Sequence, residues 1–244
     1  MPVTMTARRV RPRRARVAAP APLPDVAEPP RQERSRQMLA RISSASRALL
    51  EARGFEQVSI ADIAARARVS VGVFYTRFRS KEHVLAHLTR ELTPELHDRV
   101  RVALTPGGGA RFSMHAVAER YFHVTADLFV RHRAVLRPLS LLTRLETHAD
   151  LRALTANFNV GVHRLLRDRL LEHRAEIRHP DPVRAVDFAI LASSAVVREL
   201  VLYGEPVSRL SRSQKDAVRE AAHVCVAYLT QPLPRRSRRA GLTT

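Results

Sequence analysis

The side chains with the most specific chemistry in this sequence lie in one short segment, residues 69–82 (VSVGVFYTRFRSKE). Phe74 and Phe78 are one helical turn apart, and this spacing predicts that both face a core. The opposite face then holds Val71, Gly72, Val73, Tyr75, Thr76 and Arg77. Methyl groups, hydroxyls and a guanidinium are the groups that read base edges in the major groove of DNA.

These exposed side chains differ in what they can recognise. Val71 and Val73 can touch thymine methyl groups, and Gly72 lets the backbone approach closely. Thr76 can hydrogen-bond to several bases, whereas Arg77 carries the planar fork that binds guanine at two atoms. A phosphate contact is the alternative for Arg77.

Helix-start signals surround this segment. Ser59 and Asp62 form a capping box, and the helix that it begins has one apolar face. Ser70 and Ser80 are candidates to cap the next two helices. Two short helices joined by a tight turn predict a helix-turn-helix, whose second helix lies in the major groove.

The order of residues around these signals resembles the DNA-binding segment of TetR-type transcriptional regulators, over roughly Arg36 to Leu96. The resemblance departs at Arg68, where a glycine is usual, and at Val71, where a polar or basic residue is common. The matching positions are Gly54-Phe55, Val58-Ser59-Ile60, Asp62-Ile63-Ala64, Val69-Ser70, Gly72, Phe74-Tyr75, Phe78 and Ser80-Lys81-Glu82.

The resemblance implies DNA contacts from Ser59, Ser70 and the exposed residues 71–77, with Tyr75 and Lys81 on phosphates. It also implies a C-terminal domain whose helices bury a small-molecule pocket and whose last two helices form a homodimer. Ordinary core packing is the alternative for each candidate pocket residue. The candidates are Phe112, Tyr121, Phe122, Phe129, Leu142, Phe158 and His163.

The charge of the chain points to a polyanionic partner. Among its 244 residues are 42 Lys+Arg against 23 Asp+Glu, a net charge of +19, and only Lys81 and Lys215 are lysines. Arginine suits phosphate through its planar fork, although a coding bias toward arginine explains many of these residues. The rival function is therefore a general DNA-coating protein, in which charge rather than the motif dominates binding.

Other classes of function find little support. Cys225 is the single cysteine, so intramolecular disulfides and cysteine-based zinc sites are excluded, and a reducing cytoplasm is expected. No apolar run is long enough to cross a membrane. His83, His87 and Glu91 have metal-ligand spacing on one helix face, but we expect solvated side chains, no metal and no cofactor there. No catalytic motif stands out, so we expect no enzyme.

Helical spacing and few glycines predict an all-α chain. The resemblance implies that it divides into an N-terminal three-helix DNA-binding domain and a C-terminal ligand-binding and dimerisation domain. We expect a basic tail at 1–34 rich in arginine and proline, the first domain at 35–96, the second at 97–231, and a basic tail at 232–244. The N-terminal tail either adds DNA contacts or is merely solvated.

Individual helices are predicted from their start and stop signals. Pro94 either kinks the fourth predicted helix, which starts at Ser80, or marks a new helix capped by Thr93. The remaining expectations are helices over 35–53, 112–132, 135–145 and 148–173, one from Asp181 and Pro182 to Tyr203 before Gly204, and one capped by Ser211 or Ser213 that ends before Pro232.

The combined interpretation is a ligand-released homodimeric repressor that binds an inverted-repeat operator, with an activator as the alternative. A mostly apolar effector is expected, its anionic head held by Arg137, Arg144 and His163. Two apolar stripes are predicted to dimerise or, alternatively, to complete the monomer core: Phe188, Ile190, Leu191, Ala195, Val196 and Val197, with Val218, Ala221, Ala222, Cys225, Val226 and Leu229.

Overall fold

The computed structural model describes residues 33–107, 111–145, 148–203 and 213–232. These ranges form nine α-helices and no strand, which confirms the all-α prediction. The helices are α1 Glu33–Arg53, α2 Ile60–Ala67, α3 Val71–Tyr75, α4 Lys81–Ala103, α5 Met114–Arg131, α6 Arg133–Leu142, α7 Ala149–Leu171, α8 Pro182–Arg198 and α9 Gln214–Thr230. Residues 1–32 and 233–244 of the predicted tails, and Gly204 and Ser211, lie outside the described ranges.

The start of α2 follows from local chemistry. The Ser59 side chain accepts from the backbone N–H of Asp62 at 3.1 Å, and the Ser59 N–H donates to the Asp62 carboxylate at 2.9 Å. This is the predicted capping box, and such caps typically stabilise a helix by about 1 kcal/mol. Ser70 and Ser80 cap α3 and α4 through the backbone N–H groups of residues three positions on.

The turn between α2 and α3 contains the departure seen in the sequence. Arg68 takes the left-handed conformation, with φ 55° and ψ 48°, where glycine is usual. A non-glycine residue there costs about 1 kcal/mol of strain. The turn is therefore of the ordinary helix-ending type, and the arginine tolerates a conformation that glycine would adopt freely.

Helix α4 runs without a break through Pro94. Proline removes one backbone donor, but Leu92 and Leu96 on either side are 3% and 2% exposed, so burial of this face holds the helix together. Of the two arrangements left open by the sequence, a single long helix is the one observed. Because α4 begins beside α3 and ends among the C-terminal helices, it joins the two parts of the chain.

The C-terminal helices form one layered bundle with α4. Helices α8 and α9 pack together, and α5 packs on α9. Asp181 caps α8 with Pro182 in its first turn, as predicted. Helix α8 changes at Arg198 into a π-helical segment, Glu199–Tyr203, which the sequence pattern did not distinguish from α-helix.

Helices α4 and α7 approach closely at one glycine. A Cβ atom placed on Gly161 of α7 would lie 2.5 Å from Cε1 of His97 on α4. No real Cβ contact is that short, so the imidazole occupies the space that a side chain would need. A side chain at position 161 would therefore require the His97 imidazole to move.

A polar cluster joins α1 to α4. The carboxylate of Glu91 lies 2.7 Å from Nη2 of Arg47 and 3.1 Å from Nε2 of His87, and it accepts from Oγ of Ser43 at 3.3 Å. These groups lower the pKa of Glu91 from 4.5 to about 2, with His87 the largest cause, and outweigh the opposing effect of burial. The cluster fixes α1 of the DNA-binding segment against the middle of α4.

We expect Glu91→Gln to lower the free energy of unfolding at pH 7 by about 1 kcal/mol, a value discounted because the carboxylate is 38% exposed and screened by solvent. Because the pKa of Glu91 is lower in the folded state, its carboxylate stabilises the fold fully above the ordinary pKa of 4.5. This stabilisation is lost as the pH falls toward 2. The difference from wild type should therefore shrink between pH 5 and about 3 in denaturant titrations.

Asp98→Asn is the matched control for that experiment, since its carboxylate is 69% exposed and pairs only with Arg101 of the same helix. Its stability should follow the wild type at every pH. A Glu91→Gln variant whose stability deficit stays constant from pH 7 to pH 3 would contradict the role given to the carboxylate charge.

Candidate DNA-binding site

Helix α3 is anchored by two aromatic side chains. Phe74 and Phe78 are both 0% exposed, and their ring centroids are 5.6 Å apart. They pack in the core formed by α1, α2 and the start of α4. Burying one face of so short a helix fixes which residues face outward.

The outward face of α3 carries the side chains predicted from the sequence. Val71, Val73 and Tyr75 are 43%, 36% and 52% exposed, large fractions for apolar side chains next to a core. Thr76 is exposed, and its hydroxyl donates to the carbonyl of Val73 at 2.7 Å. Gly72 has no neighbouring atom closer than 3.9 Å to the position of an added Cβ, so nothing within the protein requires glycine there.

Arg77 lies elsewhere than the sequence predicted. Its Nη2 donates to Oγ of Ser35 on α1, and its Nε is buried without a partner among the described residues. Helix α3 ends at Tyr75, so Arg77 follows the helix and turns back toward α1. In this structure the guanidinium contacts α1 instead of extending from the exposed face, and the guanine or phosphate contact of Arg77 stays a prediction.

Lys81 occupies the first turn of α4, where a phosphate contact was expected. Its Nζ donates to the carbonyl of Phe55 at 3.0 Å and lies 4.3 Å from the centre of the Phe55 ring. An ammonium group has three donors, so two remain for another acceptor. Lys81 thus also ties the α1–α2 loop to α4.

Ser59 and Ser70 are exposed but use their side chains as helix caps. Arginines that the sequence analysis did not single out lie nearby: Arg66 and Arg68 at the end of α2, and Arg79 just before α4, are all exposed. Their positions at the two ends of α3 suit phosphate contacts on either side of a groove. In the sequence these three arginines are marked only by their charge, and charge does not distinguish them in a chain so rich in arginine.

This geometry agrees with the comparison with known protein families. Residues 42–88 match the family model described as bacterial regulatory proteins, tetR family. Residues 42–88 are therefore a DNA-binding segment of the TetR type. A search of curated proteins found no match. This match supports a DNA-binding regulator.

Solved structures of TetR-family regulators share the fold across most of the chain. A regulator from Mesorhizobium loti aligns with a TM-score of 0.60 and 18% identity over 81% of this chain and 98% of its own. FadR from Thermus thermophilus, a repressor solved with lauroyl-CoA, aligns with a TM-score of 0.57 and 20% identity over 83% of this chain and 99% of its own. A putative transcriptional regulator from Pseudomonas aeruginosa aligns with a TM-score of 0.57 and 23% identity over 81% of this chain and 90% of its own.

In the C-terminal helices, four of the seven predicted pocket residues surround one buried cavity. Tyr121, Phe129, Phe158 and His163 line a volume of about 30 Å³, which holds no more than a water or two. The six other lining residues are Leu96, Thr125, Asn159, Val162, Ser194 and Arg198. Burial, and then Arg198, lower the pKa of His163, which favours a neutral imidazole.

The other three predicted pocket residues lie away from this cavity. Phe122 is 0% exposed and packs against Tyr121 at a ring distance of 5.2 Å. The ring of Phe112 is covered by Arg120 at 4.1 Å, and Leu142 faces a separate cleft beside α1. The predicted anion clamp is corrected as well, because Arg137 lines that cleft whereas His163 lines the buried cavity, and Arg144 pairs with Glu199 at 3.9 Å.

The predicted apolar stripes of α8 and α9 divide into two sets. Phe188, Leu191 and Val196 on α8 are 54%, 60% and 44% exposed. Val224 on α9, which was not among the predicted residues, is 51% exposed. We call Phe188, Leu191 and Val224 the α8–α9 patch. Most of the other predicted residues are buried in the monomer core: Ile190, Val197, Val218, Ala221, Ala222, Cys225 and Leu229.

No helix among the described residues is long and apolar enough to cross a membrane. The same residues include no cluster of three or more side chains that could hold a metal ion. His87 and Glu91 of the candidate metal set instead form the cluster with Arg47 on α1.

Proposed function

We propose that the protein is a homodimeric repressor that binds an inverted-repeat operator and leaves it when an effector binds. The observation that carries the proposal is the α8–α9 patch, on a chain that also presents α3 outward. Two copies joined by this patch would present two α3 helices related by a two-fold axis, which matches an inverted repeat. The cytoplasm is the location that goes with this proposal.

The patch supports dimerisation because three large apolar side chains, Phe188, Leu191 and Val224, are more than half exposed on adjacent helices. Tyr228 extends the same surface, with its ring 5.2 Å from that of Phe188. Exposed apolar side chains grouped in this way mark protein interfaces. Ala192 and Ala195, both only partly buried on α8, are small enough for another helix to approach closely.

Base recognition in this proposal comes from the exposed face of α3. Val71 and Val73 contact thymine methyl groups, and Thr76 turns its hydroxyl from the Val73 carbonyl to a base. Tyr75 and Lys81 bind phosphates, and the flanking arginines Arg66, Arg68 and Arg79 add to them. The operator half-site should accordingly contain thymine at the positions facing the two valines.

The proposed effector is mostly apolar and enters the cavity lined by Tyr121, Phe129 and Phe158. A cavity of about 30 Å³ must expand to hold it, so binding has to move neighbouring helices, of which α4 is one through Leu96. Nε of Arg198 faces this region without a hydrogen-bond partner among the described residues and can bind an anionic group. The complex of Thermus thermophilus FadR with lauroyl-CoA supports an acyl-type effector.

Helix α4 carries that movement to the DNA-binding helices in this proposal. Its start holds Lys81, and the Glu91 cluster joins its middle to α1. A shift of α4 therefore changes the spacing of the two α3 helices, which is what an inverted repeat reads. Linkage requires that an effector that weakens DNA binding also binds more weakly to the DNA-bound dimer.

Variants of α3 and α4 test the assignment of base and phosphate contacts. We expect Val73→Ser to weaken operator binding by about tenfold, within the range of a lost base contact, and to leave random DNA almost unaffected. Lys81→Met should weaken both DNAs alike and reduce the slope of log K against log salt by about 0.9. Arg77→Ala should relax base preference if the guanidinium leaves Ser35 to read guanine, and should weaken both DNAs alike if it binds a phosphate.

The matched control is Val102→Ser, which alters a valine that is 66% exposed on α4, away from α3. Its gel-shift affinity should equal that of the wild type. Competitor DNA distinguishes the rival DNA-coating function, in which operator and random fragments compete equally at moderate salt. Equal loss of both affinities in Val73→Ser would contradict base reading by α3.

A further inference from the structure

A second cavity separates the DNA-binding helices from α6. One wall is the end of α1 and the following loop, residues 50–57, and the other is the face of α6 together with Val130. Its volume is about 740 Å³, within the range of roughly 300–1,000 Å³ found for small-molecule sites. We call it the α1–α6 cleft; it shares no lining residue with the buried cavity around Tyr121.

The α6 wall of the cleft is an apolar stripe. Ala134, Pro138 and Leu141 follow one another on α6 at spacings of four and three residues, which places them on one face, and Val130 at the end of α5 lines the cleft beside them. Val130 and Leu141 are 50% and 47% exposed, so helix α1 does not cover this face. An apolar segment of a ligand can lie along it.

Two arginines border the stripe one helical turn apart. Nε of Arg133 donates to the carbonyl of Leu202 at 2.8 Å, which leaves its two terminal nitrogens available. The guanidinium of Arg137 lies 5.8 Å from the centre of the Tyr203 ring. Neither guanidinium forms an ion pair with a carboxylate of the described residues, so both can bind an anion.

The charges of the whole cleft lining also favour an anionic ligand. Arg53 and Arg131 also line it, but each already pairs with a carboxylate, Arg53 with Asp62 at 3.5 Å and Arg131 with Asp127 at 2.8 Å. Two glutamates, Glu51 and Glu56, face the cleft from the α1 wall, so the lining carries four arginines against two glutamates. The positive side is the α6 wall, next to the apolar stripe.

We propose that the α1–α6 cleft binds an amphipathic carboxylate, a ligand site separate from the buried effector cavity. Its carboxylate bridges Arg133 and Arg137, where planar guanidinium groups match the two carboxylate oxygens. Its apolar chain covers Val130, Ala134 and Leu141 and removes their surface from water. A ligand bound in this way contacts the DNA-binding segment and the C-terminal bundle at once.

The test titrates decanoate into the full-length protein at about 0.15 M salt, where surface charges are screened beyond about 8 Å, and measures Kd by calorimetry. We expect Arg137→Gln to raise Kd about tenfold, as expected for one lost charge-assisted contact, and 1-decanol to bind about tenfold more weakly than decanoate. Leu141→Glu should also abolish decanoate binding in the cleft, since it places a carboxylate beside the apolar chain. Circular dichroism of each variant should match that of the wild type.

Two control variants decide where the anion binds. Arg120→Gln removes the same charge from an exposed arginine that also stacks on an aromatic ring, Phe112, but lies outside the cleft. Asn159→Leu alters the lining of the buried cavity. Both should leave the Kd of the binding event that depends on Arg137 within about twofold of wild type, whereas decanoate that enters the buried cavity would respond to Asn159→Leu alone.

The proposal is overturned if wild-type protein does not bind decanoate. It is equally overturned if Arg120→Gln weakens binding as much as Arg137→Gln, because the anion then follows the net charge of +19. Weakening by Asn159→Leu with no effect of Arg137→Gln would place the ligand in the buried cavity instead. None of these outcomes bears on DNA binding by α3, which the gel shifts measure independently.

Discussion

We expect Leu191→Asp to convert the proposed dimer into a folded monomer. Leu191 is 60% exposed at the centre of the α8–α9 patch, so a charge there costs the monomer little. In a dimer the same carboxylate would be buried against an apolar partner surface without a counter-ion, which is strongly unfavourable. Sedimentation should give the mass of one 27.5 kDa chain, with an unchanged circular dichroism spectrum.

Operator affinity should fall in the same variant by about 10²–10⁴-fold, because each monomer binds one half-site without the high effective concentration that its partner supplies. Val160→Asp is the matched control: Val160 is 66% exposed on α7, outside the patch, and should stay dimeric. Val197→Asp places the same charge at a position with 0% exposure and should unfold the chain. A Leu191→Asp protein that remains a dimer would show that the interface lies elsewhere.

Phe74→Ala and Tyr75→Ala should lose DNA binding for opposite reasons, although the two residues are adjacent. Phe74 is 0% exposed, with its ring 5.8 Å from Tyr75 and 5.6 Å from Phe78. Truncating so buried an aromatic side chain typically costs about 3–5 kcal/mol. That is a large fraction of the stability of a small three-helix unit, so α3 should lose its fixed position.

Tyr75 is 52% exposed, and its removal should leave thermal stability nearly unchanged while DNA affinity falls through a lost phosphate contact. Thermal unfolding and gel shift on both variants separate the two effects. Tyr75→Phe keeps the ring and removes the hydroxyl, so it should reproduce the affinity loss. Equal destabilisation by Phe74→Ala and Tyr75→Ala would mean that both side chains contribute to the core.

Local signals were sufficient to predict the DNA-binding segment. The capping box of Ser59 and Asp62 and the spacing of Phe74 and Phe78 each involve residues within one turn of each other, and the structure confirms both. Helix caps and short-range spacing act through neighbouring backbone groups, so a sequence window contains the whole interaction. The left-handed conformation of Arg68 was not predicted, because an arginine in place of the usual glycine left open whether the turn has a positive φ.

Tertiary contacts decide the features that the sequence left open. Arg77 binds Ser35, a residue 42 positions earlier, and no local pattern of α3 indicates that partner. Val197 fits an apolar stripe as well as Leu191 does, but packing against neighbouring helices buries one and leaves the other exposed. Pro94 is held inside a helix by burial of α4 on both sides, against its intrinsic preference.

Pocket residues were predicted less well for a related reason. Periodicity identifies the inward face of a helix, but a packed core and a cavity have the same pattern. Phe122 and Tyr121 are neighbours with the same burial, yet only Tyr121 lines the cavity. The α1–α6 cleft combines residues 50–57 with residues 130–142, so it depends on how α1 and α6 are placed in three dimensions.

Selection of fragments from random DNA by the full-length protein tests the central claim most directly. The bound pool, sequenced after several rounds at moderate salt, should contain two half-sites in inverted orientation on the same side of the duplex, about 10 base pairs or a multiple apart from centre to centre. Thymine should be enriched where Val71 and Val73 face the groove. A single asymmetric site, or no enrichment over the starting pool, would contradict a dimeric sequence-specific regulator.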